Sequence, residues 1–390
     1  MLLKEFAAQL GIDSYPEILE QTYEENRKLG MDIADPAILD ALEKEYHLFG
    51  EYYALLRELT LALKQDPARR EWGNAVTACL KLFPMTKKIP TPKSDETPLG
   101  DFLPLLILIP HLPSVASLYR GYGFSKEEVE RILRSFANII DATKRRTGRP
   151  GYNKSYFNWQ KKYVQGILFR FGSFNYELKP FDGAVLLRHR GTGEIRPLVT
   201  EGVFHRDGMI LGSAGFEDET DSFSASFSET DEFWEANVVK DGLVLPQKEA
   251  YSKKEWEMLL SPEDPVISVH IPAQTDLSPE AVEKSYTDGM QFVAEYFPDF
   301  CPKAYYCDSW LLDPNLTDIL GEKSKIVAFQ NRYVKWPIRS AGKEVFSFVF
   351  VGFKGEISEL PENTSLERGL KKRYLEGKYI HSYQGAFFLS

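Results

Sequence analysis

His270 closes an apolar stretch in which Ile267, Val269 and Ile271 alternate with Ser268 and His270. In a strand this alternation puts the aliphatic residues on one face and Ser268 with His270 on the other. An imidazole titrates near neutral pH, so on a polar face it is a candidate general base; packed in a core it is a hydrogen-bonded structural histidine. A second stretch, predicted as a strand over 325–333, places Gln330 and Arg332 opposite Val327 and Phe329. If the two strands are near neighbours, His270, Gln330 and Arg332 line one polar cleft. Gln330 and Arg332 would then bind a polar acceptor or a phosphate, and Trp310 is assigned to substrate binding with them. The alternative for Arg332 is a surface charge at a strand end.

Asp308-Ser309-Trp310 invites comparison with a hydrolase, Ser309 being the nucleophile and His270 its base. Consecutive strand residues point to opposite faces, so Asp308 and Ser309 cannot both serve His270 unless the strand bulges. No Gly-x-Ser-x-Gly elbow occurs either, which leaves hydrolysis a minor alternative and Asp308 a second candidate base. The six histidines have no HxxxH or HExxH spacing, so no metal is expected.

The elements that must position these residues fall into two parts. A length of 390 residues exceeds what one core usually organises. From Leu2 to about Phe171 apolar residues recur three and four apart, as in Leu39, Leu42, Tyr46, Phe49, Tyr53 and Leu56. Ser125 with Glu128 forms a capping-box signature, and the helix it opens is expected to stop at Gly148-Arg149-Pro150-Gly151. A further helix is predicted from Tyr156 to Leu168. After Phe174 the period changes to alternation with short turns at Gly191-Thr192-Gly193, Asp207-Gly208 and Asp241-Gly242, which reads as an antiparallel meander. The acidic, Ser-rich stretch 217–232 keeps Phe223, Ala225 and Phe227 in alternation, as an edge strand does.

The last section alternates strand and helix: strand 265–271, helix 279–297, strand 303–310, helix 314–321, strands 325–333 and 344–351, helix 364–376 and strand 385–389. A strand-helix-strand unit implies a crossover onto a parallel partner. The expected class is therefore α+β, an all-α domain over 1–176 followed by one mixed β-sheet with flanking helices over 177–390.

Charge and composition exclude several functions. A net charge of -10 opposes nucleic-acid binding, and the run Lys144-Arg145-Arg146 lies at a predicted helix C-terminus, where cations are favoured. The longest apolar run, Phe102 to Ile109, is interrupted by Pro104 and is far shorter than the roughly 20 residues of a membrane span. Three cysteines at Cys79, Cys301 and Cys307 and the lack of a secretory signal lead us to expect a reducing cytoplasm.

The order of elements resembles the GNAT acyltransferase fold. The strings Ser268-Val269-His270-Ile271-Pro272, Asp308-Ser309-Trp310-Leu311-Leu312-Asp313-Pro314, Ala328-Phe329-Gln330-Asn331-Arg332-Tyr333 and Leu360-Pro361 are similar to those of a bacterial family of acyltransferase-domain proteins, as are Gly148-Arg149-Pro150-Gly151 and Leu168-Phe169-Arg170-Phe171-Gly172. That family has a helical N-terminal domain and a GNAT-like C-terminal domain. The resemblance implies an acyl-CoA-dependent N-acyltransferase acting on a small-molecule amine, with acyl-CoA as co-substrate. It implies a pyrophosphate site where the fourth strand enters the third helix, here Ala273, Gln274, Thr275 and Ser278, the helix N-terminus supplying backbone donors. Yet the spaced glycines of ordinary members are missing, and Asp276 and Glu280 add negative charge there. A non-catalytic GNAT-like module that binds a ligand or protein partner is the alternative. For acyl transfer His270 is the expected base, Asp308 the second, and Tyr305, Tyr306 or Tyr333 the acid.

Overall fold

The computed structural model describes residues 2–21, 23–28, 30–82, 89–90, 92, 97–152, 154–272 and 275–388. The chain divides into two compact units, Met1–Leu168 and Phe169–Ser390.

Between Leu3 and Val164 the described residues form only α-helices and 3-10 turns. The helix Lys126–Thr147 is capped as its residue types predict. Ser125 Oγ accepts from the Glu128 amide (3.2 Å), the Glu128 carboxylate accepts from the Ser125 amide (2.8 Å), and Gly148 ends the helix at φ 83°. Helices Pro98–Leu108 and Leu112–Gly121, with the 3-10 turn between them, form a 24-residue stretch containing an 18-residue window of mean hydropathy 1.6, long and apolar enough to cross a membrane by composition. Phe102, Leu103, Leu105 and Leu108 are instead buried inside the unit, where they contribute to its core. The last helix of this part, Lys154–Val164, stops earlier than its periodicity suggests, and the chain is already extended at Leu168.

The strands, in chain order, are β1 (Leu168–Phe171), β2 (Phe174–Pro180), β3 (Val185–His189), β4 (Ile195–Val199), β5 (Val203–His205), β6 (Ser222–Ser224), β7 (Phe227–Glu229), β8 (Phe233–Lys240), β9 (Leu243–Ser252), β10 (Trp256–Leu260), β11 (Pro265–His270), β12 (Ala304–Ser309), β13 (Val334–Pro337) and β14 (Tyr383–Phe387). They build two six-stranded sheets and a small pair, β5 with β6, where one mixed sheet was expected. The reason lies in β2: it leaves the meander to pair antiparallel with β11, 85 positions away at Pro265↔Pro180, while β3 pairs with β4 and β10. Alternation marks each strand but is blind to its partner.

The mixed sheet runs β1-β2-β11-β12-β14-β13, with β11 and β12 parallel and joined by the helix Pro279–Tyr296. This helix covers one face, where Tyr286 packs on Phe174 (5.3 Å between ring centroids) and on Tyr305 (4.6 Å). Gly289 lets the helix approach, since a Cβ there would lie 3.1 Å from the Tyr176 ring. Part of the other face, through Val266, Ala304 and Trp336, shares a core with Leu186, Val199 and Val244 of the antiparallel sheet.

Two predicted strands are not strands. Residues 325–333 form the helix Lys325–Gln330, because Ser324 Oγ caps it through the Ile326 amide (3.2 Å) and Val327 and Phe329 bury as helix residues; only Val334–Pro337 pairs in a sheet. In 344–351, Glu344–Ser347 is a 3-10 turn. The Glu344 carboxylate accepts from the Ala341 and Lys343 amides and from Ser340 Oγ, so local hydrogen bonds replace a ladder.

Candidate active site

The antiparallel register of β2 on β11 sets Glu177 opposite Ser268 and Asn175 opposite His270. All four belong to the face turned away from the helix Pro279–Tyr296, since Tyr176, Leu178, Ile267 and Val269 have the other parity. There His270 Nε2 meets Glu177 Oε2 at 2.9 Å. The Glu177 side chain is 11% exposed and that of His270 30%, so the carboxylate lies behind the ring and the ring reaches solvent. An imidazole N–H donated to a carboxylate fixes the tautomer, and Nε2–H in this bond leaves the lone pair on Nδ1. Asn175 Oδ1, beside them, is buried with no hydrogen-bond partner among the described residues.

The parallel ladder between β11 and β12 covers only Val266–Ser268 against Ala304–Tyr306. Each strand runs on with a different neighbour, β11 with β2 as far as His270↔Asn175 and β12 with β14 as far as Ser309↔Tyr383. The two strand ends thus part, and the backbone groups between them are not spent on each other. His270 flanks this opening on one strand and Asp308 on the other, both on the same face by alternation.

Asp308 is exposed, although Tyr306 and Cys307 before it and Trp310 after it are buried. Desolvation pushes its carboxyl up to about 6, with repulsion from Asp182 in the same direction; Lys179 and a hydrogen bond from Gln384 oppose the rise. Lys179 pairs with Asp182 (2.8 Å) and lies over the Tyr306 ring (5.2 Å). Tyr306 is 2% exposed and faces the same side; burial holds its phenol well above the usual value and therefore protonated.

The other anticipated residues lie elsewhere. Ser309 has the opposite parity from Asp308, and its Oγ accepts from the Leu311 amide (3.1 Å), capping the turn after β12. Trp310 is buried in an apolar cluster with Leu316, Val345 and Leu370. Because 325–330 is helical, Gln330 and Arg332 do not share a strand face with His270: Gln330 is fully buried and donates to Thr317 Oγ1 (3.1 Å). Arg332 pairs with Glu283 (2.7 Å) and rests over the rings of Tyr286 and Phe387, on the helix-covered face. The same face holds Tyr305, which donates to the Tyr286 carbonyl (2.5 Å), and Tyr333, hydrogen-bonded to the Tyr286 hydroxyl (2.5 Å).

At the strand-to-helix junction, Ala273 and Gln274 lie outside the described residues. Thr275 Oγ1 donates to the carbonyls of Pro272 (2.7 Å) and Ser173 (3.2 Å). The Ser278 amide and hydroxyl both donate to the Asp276 carboxylate (2.9 Å each), and Lys325 pairs with it at 3.2 Å. These bonds hold the Asp276 carboxyl below its ordinary value, so a negative charge stands beside the helix N-terminus with a cation already on it.

Glu177 was not anticipated. Phe174-Asn175-Tyr176-Glu177-Leu178-Lys179 alternates apolar with polar, which marks the strand and its polar side. Nothing local to it indicates that the partner is His270.

Residues 168–387 match the protein family described as the GNAT-like C-terminal domain. Among solved structures, the chain is similar over 100% of both lengths to an acyltransferase in complex with decanoyl-CoA and teicoplanin (16% identity, TM-score 0.61). It is equally similar to an acyltransferase variant in complex with octanoyl-CoA (16% identity, TM-score 0.63) and to an acyltransferase with CoA and 10C-teicoplanin (16%, 0.62). At such identity the likeness is one of fold. No curated protein matches the sequence.

Proposed function

Since the chain belongs to the family with a GNAT-like C-terminal domain, we propose that it is an acyl-CoA-dependent acyltransferase that acylates an amine on a small molecule. The observation that carries this reading is the parting of β11 and β12 with His270–Glu177 on one side and Asp308 on the other. Unpaired strand backbone at such an opening suits the amide groups of the acyl-CoA arm. The acyl-CoA complexes of proteins with this fold support the same donor.

The acceptor side supports an amine. Glu177, Asp308 and Asp182 gather carboxylates about the cleft, which favours the approach of an ammonium group, and the buried Asn175 Oδ1 is a further acceptor for its N–H. An ammonium must lose a proton before it attacks. His270 Nδ1 is the base in this reading, Glu177 stabilising the imidazolium that results; Asp308 is the alternative base. The amine nitrogen then attacks the thioester carbonyl, the C–S bond breaks as the tetrahedral intermediate collapses, and the second proton shed by the nitrogen passes to the departing thiolate through water or the Tyr306 hydroxyl, which gives it up and regains it in the same relay, leaving the amide and free CoA thiol. Cys79, Cys301 and Cys307 form no disulfide, which fits a reducing cytoplasm.

One observation favours a second reading, a binding module without chemistry. Asp276 occupies the helix N-terminus where phosphates would lie, already paired with Ser278 and Lys325. Calorimetric titration with CoA and decanoyl-CoA, followed by thiol-release assays against a panel of amines, separates the two. Binding with amine-dependent thiol release supports the enzyme. Binding without release for any amine supports the module, and no binding of either CoA species removes the enzyme and leaves the module with a ligand other than CoA.

A further inference from the structure

A cavity of about 350 Å³ opens in the C-terminal unit between the loop around Phe216, the start of β9 at Leu243, the end of the helix Ser365–Leu375 and the start of β14. Its volume lies within the range of small-molecule sites, roughly 300–1,000 Å³. Glu177, His270 and Asp308 are not among the residues that border it.

Its walls are of two kinds. Phe216, Tyr379, Tyr383 and Met209 give flat or polarisable apolar surface. Tyr379 fits there because Gly215 lacks a side chain: a Cβ would stand 3.3 Å from the ring, on a backbone with φ 80°. Arg373 and Lys378 give positive charge. Lys378 is held by Glu376 (3.0 Å), but Arg373 makes no ion pair among the described residues and one hydrogen bond, from Nε to the Tyr379 carbonyl (3.1 Å). Its terminal nitrogens are therefore unspent on a half-buried side chain that borders the cavity. The one carboxylate on the wall, Asp207, is largely exposed and faces His205 Nδ1 at 3.3 Å.

The floor is rigidly built. The fully buried Asp313 carboxylate accepts from the amides of His381 (2.7 Å) and Asn315 (2.8 Å) and from Asn315 Nδ2 (2.7 Å). His381 in turn reaches the Ala214 carbonyl through Nε2 (2.9 Å), tying the Phe216 loop to β14. A preorganised wall with aromatic faces and an unspent guanidinium suits one ligand chemistry. We propose that this cavity binds a small aromatic carboxylate, its ring between Phe216 and Tyr379 and its carboxylate on Arg373, at a site separate from the opening between β11 and β12. This inference does not rest on the acyltransferase reading.

The test is calorimetric titration of the full chain with benzoate, phenylacetate and indole-3-acetate, and with benzyl alcohol as the uncharged control. At least one carboxylate should bind at least about tenfold more tightly than the alcohol, the scale of a charge-assisted pair. Arg373→Gln should weaken it at least about tenfold. Leu243→Trp, which fills the cavity and leaves the guanidinium in place, should abolish binding, so a folding defect in R373Q would not decide the matter. Saturating CoA should leave the affinity unchanged. The proposal is overturned if no carboxylate binds at millimolar concentration, if the alcohol binds equally, if L243W binds normally, or if CoA displaces the probe.

Discussion

Glu177 Oε2 stands 2.9 Å from His270 Nε2 although the two residues are 93 positions apart, and they meet only because β2 lies beside β11. The nearly buried carboxylate holds a ring that reaches solvent, the arrangement of a base and its orienting group. His270→Gln is expected to lower turnover by about a hundredfold or more, the scale of losing a general base. Because the ring is partly exposed, the melting temperature should move little. A large fall in melting temperature with unchanged CoA binding would make His270 a structural residue.

Glu177→Gln should separate orientation from bulk. The amide keeps the shape but offers both a donor and an acceptor, so the imidazole is no longer held in one tautomer. Turnover should fall by about ten- to a hundredfold while the KM for acyl-CoA stays near that of the parent protein. A change in KM alone would place Glu177 in substrate binding.

Asp308 predicts two pH effects. Its folded-state value of about 6 lies above the ordinary aspartate value of 3.8, so the protonated form is favoured by folding. Below about 4 the group is protonated in both states and has no effect. As pH rises from 4 to 6 the unfolded chain ionises first, stability falls, and the loss is complete above about 6. Asp308→Asn should therefore match the parent melting temperature near pH 4 and exceed it at pH 8. If Asp308 is the base, kcat/KM also rises through pH 6 in the parent and loses that limb in D308N. Parallel melting profiles of the two proteins from pH 4 to 8 would show that the carboxyl is not raised.

Asp276→Asn removes the negative charge beside the helix N-terminus and releases Lys325. If CoA phosphates bind there, affinity for CoA should rise, by at most about fivefold at so exposed a position. Unchanged or weaker binding places the phosphates elsewhere.

The two compact units predict separable folding. A fragment of residues 169–390 retains β2 whole, with its ladder to β11, and should give a cooperative melting transition. A fragment beginning at 177 removes Phe174, Asn175 and Tyr176 from β2 and should not fold. If neither fragment folds, the units depend on one another for stability.

The sequence by itself determined what depends on near neighbours. The capping box at Ser125 and Glu128, the stop at Gly148, the helix Pro279–Tyr296 with the strands on either side of it, and the opposite faces of Asp308 and Ser309 all follow from spacings of one to four residues. The GNAT-like character was legible through strings carried by those same elements. Where local signals competed, as at 325–333, alternation and helical period both fitted the apolar residues, and the Ser324 cap decided for a helix. Tertiary structure alone decided which strands pair. It took β2 out of the meander, joined Glu177 to His270, ended the β11–β12 ladder at Ser268, and sent Gln330 and Arg332 to other surroundings. The physical reason is that a strand's alternation specifies a buried face and leaves the edge partner open, and that choice is made by the packing energy of the whole sheet.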